Sequence, residues 1–266
     1  MAERSTDDVL LNVTPAGAAI VTLNRPDKHN AFNADIIARL SDIFETLRAN
    51  EQVRIVFLRG AGKSFSAGAD LEWMKAAADW THEDNVQDAM GLAHMLKRLH
   101  ELPQTTVALV QGAAMGGGAG LMAACDIAVA VKDAKIRFSE VRLGLTPATI
   151  SPFVVRAIGP RWARALFATG EGFDGAYAEK IGLAQYTVES ADELDDMMEH
   201  LAQLAFHTAP GAVRAAKALV DDVFGKEIDE HLLHRCAKNI ADRRASEEGR
   251  EGLAAFLEKR KPYWAE

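Results

Sequence analysis

Apolar and polar positions recur along this chain in patterns that change character about halfway. Val9–Val13 and Ala18–Leu23 read as strands around the turn sequence Thr14-Pro15-Ala16-Gly17. A polar loop at 24–30 carries Arg25, Pro26 and Lys28. Asn33 then heads a helix with Ile36, Ile37, Leu40, Ile43, Phe44 and Leu47 on one face. Residues 53–58 read as a strand and 59–70 as a loop with several small residues. Helices are expected over 71–78 and 82–101, the second with Leu92, Met95, Leu96 and Leu99 at helical spacing. Strands over 106–110, 126–131 and 135–138 follow, and the glycine-rich run after the first leaves room for only a short helix. Strand and helix alternate through this half, which predicts an α/β layer architecture.

From Ser151 onward the strand signals fade. Ser190 and Glu193 fit a capping box ahead of Leu194, Met197, Met198, Leu201 and Leu204. Further helices are expected over 210–223, 227–244 and 247–259, with Pro210 in a first helical turn. No internal repeat or low-complexity linker divides the chain. Residues 1–205 therefore read as an α/β core and 206–266 as its helical extension.

Composition narrows the function. The 266 residues are 48% apolar and 26% charged, which suits a globular core. A formal net charge of −8 disfavours nucleic acid as a partner, despite local basic clusters at Arg243-Arg244 and 259–261. The polar, mixed-charge start lacks a signal peptide, and no run of about 18 apolar residues occurs. A cytoplasmic protein with no membrane partner is expected. Cys125 and Cys236 are the two cysteines, with no C-x-x-C spacing, so neither a zinc ribbon nor a disulfide framework is expected.

Several motifs fail on inspection. Gly60-Ala61-Gly62-Lys63-Ser64 resembles the end of a phosphate loop, but Phe57 stands where that motif needs glycine. Gly118-x-Gly120-x-x-Ala123 fits a relaxed dinucleotide fingerprint, but the strand from 126 cuts its helix short. Gly62-x-Ser64-x-Ser66 lacks the closing glycine of a nucleophile elbow. His231 and His234 share a helical face without a third ligand, so no metal site is expected.

Three segments remain. Ser64-Phe65-Ser66-Ala67-Gly68-Ala69-Asp70-Leu71 combines small residues, which admit a ligand to the backbone, with the amides of a helix start. Gly116-Gly117-Gly118 is entropically costly. It reads either as tight packing or as an exposed amide at the positive end of a helix, suited to a developing oxyanion. Glu140, in Phe138-Ser139-Glu140-Val141-Arg142-Leu143-Gly144, follows an apolar strand end. Taken alone, it also fits a surface carboxylate paired with Arg142.

Together these segments resemble the crotonase, or enoyl-CoA hydratase/isomerase, family. The resemblance runs from Leu23-Asn24-Arg25-Pro26 through the segments above and Cys125-Asp126 to Phe256-Leu257-Glu258-Lys259-Arg260-Lys261. It implies a spiral of ββα units with a C-terminal helical trimerisation region, in homotrimers or homohexamers. It implies that Ala69 and Gly117 donate backbone amides to a thioester oxygen, and that Glu140 is the acid–base residue. Pre-aimed donors stabilise an enolate without reorganising, and losing one typically costs about 2.7–4 kcal/mol. Coenzyme A contacts are implied near Arg25, Lys28 and Ala31, along Ala67, Gly68, Asp70 and Leu71, at Gly116, and at Lys259 for a neighbouring subunit's phosphates. An acyl-CoA substrate is implied, with no metal or redox cofactor.

The chain also departs from the family. Many hydratases hold water between two glutamates, and the first would fall where Gly120 stands. A lone glutamate suffices for double-bond isomerisation, so an isomerase is one alternative, and a non-catalytic acyl-CoA or RNA binder another. Ser139 replaces a frequent proline, and Gly144-Leu145-Thr146-Pro147-Ala148-Thr149-Ile150-Ser151-Pro152-Phe153 replaces a glycine-rich stretch. The run 138–159 resembles bacterial 3-methylglutaconyl-CoA hydratases of leucine breakdown and their acyclic terpenoid relatives. Hydration of a branched or dicarboxylic 2-enoyl-CoA is therefore favoured, with Arg142 or the hydroxyls between Thr146 and Ser151 expected to hold a distal carboxylate.

Overall fold

Two sheets take up the strands. The computed structural model describes residues 8–265. In chain order they form β1 (Val9–Val13), β2 (Ala18–Leu23), α1 (Ala34–Ala49), β3 (Ile55–Gly60), α2 (Leu71–Ala77) and α3 (His82–His100). Next come β4 (Thr105–Val110), β5 (Ala113–Met115), α4 (Gly117–Ala124), β6 (Ile127–Val131), β7 (Lys135–Arg137) and α5 (Ser151–Thr169). The chain ends with β8 (Gly172–Phe173), α6 (Gly175–Lys180), β9 (Tyr186–Val188), α7 (Glu193–Phe206), α8 (Pro210–Val223), α9 (Glu230–Ala245) and α10 (Glu247–Glu258).

The larger sheet has the order β1-β2-β3-β4-β6-β9. Only β1 and β2 pair antiparallel; every later pair is parallel. The central strands β3, β4 and β6 are buried along almost their whole length. A parallel sheet covered on both faces requires that, which is why these segments read as apolar runs rather than alternations. The smaller sheet, β5-β7-β8, pairs β5 parallel to β7. Consecutive units β4-β5-α4 and β6-β7-α5 thus each send their first strand to the large sheet and their second to the small one. Isolated parallel bridges, Phe32 to Ala69 and Ser66 to Ala114, extend that second layer backward. This repeated ββα turn is the expected spiral.

Local chemistry sets the helix starts. Asn33 accepts a hydrogen bond from Ile36 N–H at 2.9 Å, and α1 buries the six apolar residues of its stripe. Helix α3 opens with a full capping box between Thr81 and Asp84 and buries Met95, Leu96 and Leu99. Several features differ from the sequence pattern. Helix α5 is not signalled because Gly159, at φ 73° and ψ 162°, and Pro160 interrupt it midway and break its periodicity. Strands β5 and β9 are three residues each, too short for an alternation. Helix α7 begins at Glu193, whose carboxylate accepts from Glu189 N–H and Ser190 O–H, so the full box predicted at Ser190 does not form.

The chain divides into two compact units, Met1–Glu199 and His200–Glu266, with the boundary inside α7. In the second unit, Asp229 caps α9 through Leu232 N–H and Ser246 caps α10 through Gly249 N–H. Glu248 accepts from Gly211 N–H (2.8 Å) and from Arg243 (2.5 Å), which ties α8, α9 and α10 together. Phe256, Leu257, Leu253 and Val220 of that unit are exposed. Among the described residues, no helix is long and apolar enough to cross a membrane, and no group of three potential ligands that could hold a metal surrounds His231, His234 or any other residue.

Candidate active site

A cavity of about 440 Å³ opens in the first unit, where the loop after β3, the start of α4 and the turn after β7 meet. The loop is held to its neighbours by backbone hydrogen bonds. Phe32 N–H donates to Gly68 O (2.6 Å) and Asp70 N–H to Phe32 O (2.7 Å). On its other side, Ser66 N–H donates to Ala113 O and Met115 N–H to Ser66 O, each at 2.9 Å. Ala69 N–H lies between these anchored groups. Gly117 N–H opens α4. Among the described residues neither amide is taken by another group. The two meet at the cavity: a Cβ placed on Gly68 would sit 3.6 Å from Gly117 N.

Each glycine of the 116–118 run has its own reason. Gly116 has φ 48° and ψ −115°, a conformation that side chains other than glycine's adopt at a cost. A Cβ there would lie 3.2 Å from Glu140 Oε1, so its absence lets the carboxylate stand against the run. Gly117 faces the Phe32 ring, 3.0 Å from where its Cβ would be. Gly118 packs on the Ser66 backbone, where a Cβ would fall 2.5 Å from Ser66 O. Both readings of the run hold, since close packing is what presents the Gly117 amide.

Glu140 begins a 3-10 turn, Glu140–Leu143, just beyond β7. Gly116 N–H donates to Arg137 O at 2.9 Å, tying the glycine run to the strand that delivers the carboxylate. Glu140 Oε2 is buried without a hydrogen-bond partner. Burial pushes its carboxyl above the usual range, and its own backbone N–H offsets part of that shift. An orphaned carboxylate oxygen beside two free amides is an arrangement made for a ligand.

Ala67, Gly68, Ala69, Leu71 and Gly116 line this cavity. Arg25 and Asp70 do not line it and are engaged within the fold. Arg25 Nη1 donates to Ala31 O (3.0 Å) and lies 3.2 Å from Asp70 Oδ2, so its guanidinium is already committed to the fold. Asp70 caps α2 through Glu72 N–H and gathers Arg25 and Lys28. Burial raises its carboxyl, but the Glu72 N–H and these cations outweigh that and hold it below the usual range. Ala31 is buried, its carbonyl taken by Arg25. Lys28 is the exposed cation of the group, paired with Glu72 at 3.0 Å. Lys259 belongs to the second unit, exposed at the left-handed end of α10.

Arg142 also has a partner within the fold. Its Nε donates to Gly170 O at 3.0 Å, and it is not among the cavity's lining residues. Thr146 and Thr149 do line the cavity. Gly120 explains the missing glutamate in space as well as in sequence. A Cβ there would fall 2.4 Å from Ile150 Cγ2, so Ile150 fills the room a side chain would need.

The cavity wall also contains residues that sequence reading missed: Trp73 and Met74 of α2, Asp88 and Leu92 of α3, and Ile150. One signal was available. Asp88 stands four residues before Leu92, so it continues the apolar stripe of α3 with a carboxylate.

Comparison with known proteins follows from this geometry. The sequence model of the enoyl-CoA hydratase/isomerase family matches residues 14–266. A solved enoyl-CoA hydratase from Shewanella pealeana is 39% identical, with 98% of this chain and 97% of that one covered at a TM-score of 0.94. Pseudomonas aeruginosa AtuE is 37% identical, with 97% and 100% covered at a TM-score of 0.93. The enoyl-CoA hydratase AKT6-1 of Alternaria alternata is 31% identical over 227 residues, which are 82% of this chain and 74% of that protein.

Proposed function

The chain belongs to the enoyl-CoA hydratase/isomerase (crotonase) family, and from that premise we propose that it adds water across the C2=C3 bond of a branched, uncharged 2-enoyl-CoA. The observation that carries this reading is the buried, unpartnered Glu140 Oε2 beside the unoccupied Ala69 and Gly117 amides. The thioester oxygen accepts from both amides, which stabilise the charge that grows on it as the enolate forms. Glu140 handles the proton that ends on C2. The reaction draws on no metal or redox cofactor, and coenzyme A arrives with the substrate.

The lining supports the choice of acyl chain. It contains two carboxylates, Glu140 and Asp88, and no Lys, Arg or His among the described residues. A distal carboxylate would meet like charge and only the Thr146 and Thr149 hydroxyls. The second reading, a dicarboxylic chain such as 3-methylglutaconyl, is favoured by the run 138–159 and by those hydroxyls. Double-bond isomerisation is the alternative that Gly120 keeps in view. A product-resolved screen over straight, branched and dicarboxylic 2-enoyl-CoAs and 3-enoyl-CoAs tests all three. Hydroxyacyl-CoA formed fastest from branched uncharged chains is expected. Migration of the double bond without hydroxyacyl product would overturn the hydratase reading. Exposed Leu253, Phe256 and Leu257 support a homotrimer or homohexamer, which light scattering of the purified protein measures.

A further inference from the structure

Resting on the hydratase reading, we propose that Asp88 is the cavity's second proton-handling carboxylate, taking a proton from the attacking water while Glu140 delivers one to C2. The family's other glutamate position is closed here, because Ile150 occupies the space beside Gly120. The replacement comes from a different element. Asp88, Leu92, Leu96 and Leu99 follow one another at helical spacing along α3, and Leu96 and Leu99 are wholly buried. Aspartate is a poor choice inside a helix, and a carboxylate facing an apolar wall loses solvation. A partly desolvated carboxylate at a cavity wall marks a candidate functional group.

Placement agrees. Leu92 Cδ2 lies 3.9 Å from where a Gly117 Cβ would be, so α3 runs beside the thioester amide. Asp88 is about one helical turn, ~5.4 Å, farther along. The wall that α2 contributes is uncharged: Trp73, Met74 and Ala77. Trp73 Nε1 is buried without a hydrogen-bond partner. Burial pushes the Asp88 carboxyl up, and the Trp73 N–H near it moderates that shift. Glu140 and Asp88 are thus the two ionisable side chains lining the cavity.

The step balances. Water oxygen bonds to C3 as one of its protons passes to the Asp88 carboxylate. The C2=C3 π pair moves through the enolate, held by the Ala69 and Gly117 amides, and takes the proton of Glu140 at C2. The proton on Asp88 then returns to Glu140 through solvent. The net change is addition of one water, with no oxidant or reductant.

Two reactions separate the carboxylates. Exchange of the C2 protons of butyryl-CoA with D₂O needs the amides and Glu140, whereas hydration of crotonyl-CoA or a 3-methyl-branched enoyl-CoA needs Asp88 as well. Asp88→Asn is expected to lower hydration kcat by about 10²-fold or more, with KM and C2 exchange each within about threefold of wild type. Glu140→Gln is expected to lose both reactions. Hydration that survives Asp88→Asn overturns the proposal, as does an effect confined to KM or an equal loss of exchange and hydration. Wild-type enzyme that exchanges C2 protons yet forms no hydroxyacyl-CoA overturns the hydratase reading and this one together. Wild-type hydration with an unaffected Asp88→Asn variant overturns this one alone.

Discussion

The two ends of the cavity are built by different means. The end we assign to the thioester is made of backbone: the Ala69 and Gly117 amides, whose neighbours Ser66, Gly68, Asp70 and Gly116 are held by hydrogen bonds to Ala113, Phe32 and Arg137. The acyl end is made of side chains from α2, α3 and the segment before α5. Backbone donors pinned between strands have little freedom to move and are indifferent to the acyl group beyond them. Side chains on separate elements change shape with single substitutions. On the proposed reading, one end therefore supplies chemistry common to many substrates, and the other chooses among them.

Substitutions can break or sharpen this division. The largest effect is expected at the hinge between the two ends. Glu140→Gln should lower kcat by about 10²–10⁴-fold on every enoyl-CoA tested, measured by steady-state hydration. Gly118→Ala comes next. A Cβ 2.5 Å from Ser66 O must push the α4 start away from its loop. Misaiming one amide should lower kcat by about 10²–10³-fold, again regardless of chain. A loss that depended on the chain would blur the two ends.

At the acyl end, Leu145→Ala should change the ranking of chains rather than the rate of all of them. Leu145 lines the cavity and is 55% exposed, so a shift in kcat/KM ratios of below about tenfold is expected. Arg142→Ala should leave that ranking unchanged, because its Nε is spent on Gly170 O. Different KM changes for dicarboxylic and uncharged chains would return Arg142 to the cavity.

The smallest effect is thermodynamic. Burial raises the folded-state carboxyl of Glu140 above its usual value of 4.5. The folded state therefore holds this proton more tightly than the unfolded chain, so stability falls as pH rises from about 4.5 to that folded value, and the full cost persists above it. Below about pH 4.5 both states are protonated and the cost disappears. Glu140→Gln should accordingly raise Tm at pH 8 and leave it nearly unchanged at pH 4, measured by calorimetry. A lower Tm at pH 8 would mean the carboxylate is stabilising.

How far the site could be read from sequence follows the same division. Small residues at a helix start and a carboxylate just past an apolar strand draw attention to Ala69, Gly117 and Glu140, but their roles are implied by the family resemblance and not by the local pattern, which also fits tight packing and a surface carboxylate. The mutual pairing of Arg25 and Asp70 is not legible, because a charged side chain looks the same in sequence whether it meets a ligand or the fold. Here each satisfies the other. Helix α5 hides behind Gly159 and Pro160, and β9 behind its length of three residues.

The sequence by itself determined the features that depend on neighbours a few residues away: the strand and helix alternation, most caps, the presentation of two amides and the absence of a side chain at position 120. Tertiary structure alone decided which distant segments meet. It turned Arg142 toward Gly170, brought Ile150 into the space beside Gly120, and set Asp88 of α3 in the same cavity as Glu140. The physical reason is that local geometry is encoded in backbone preference, whereas the direction a side chain finally faces is settled by packing between elements far apart in the chain.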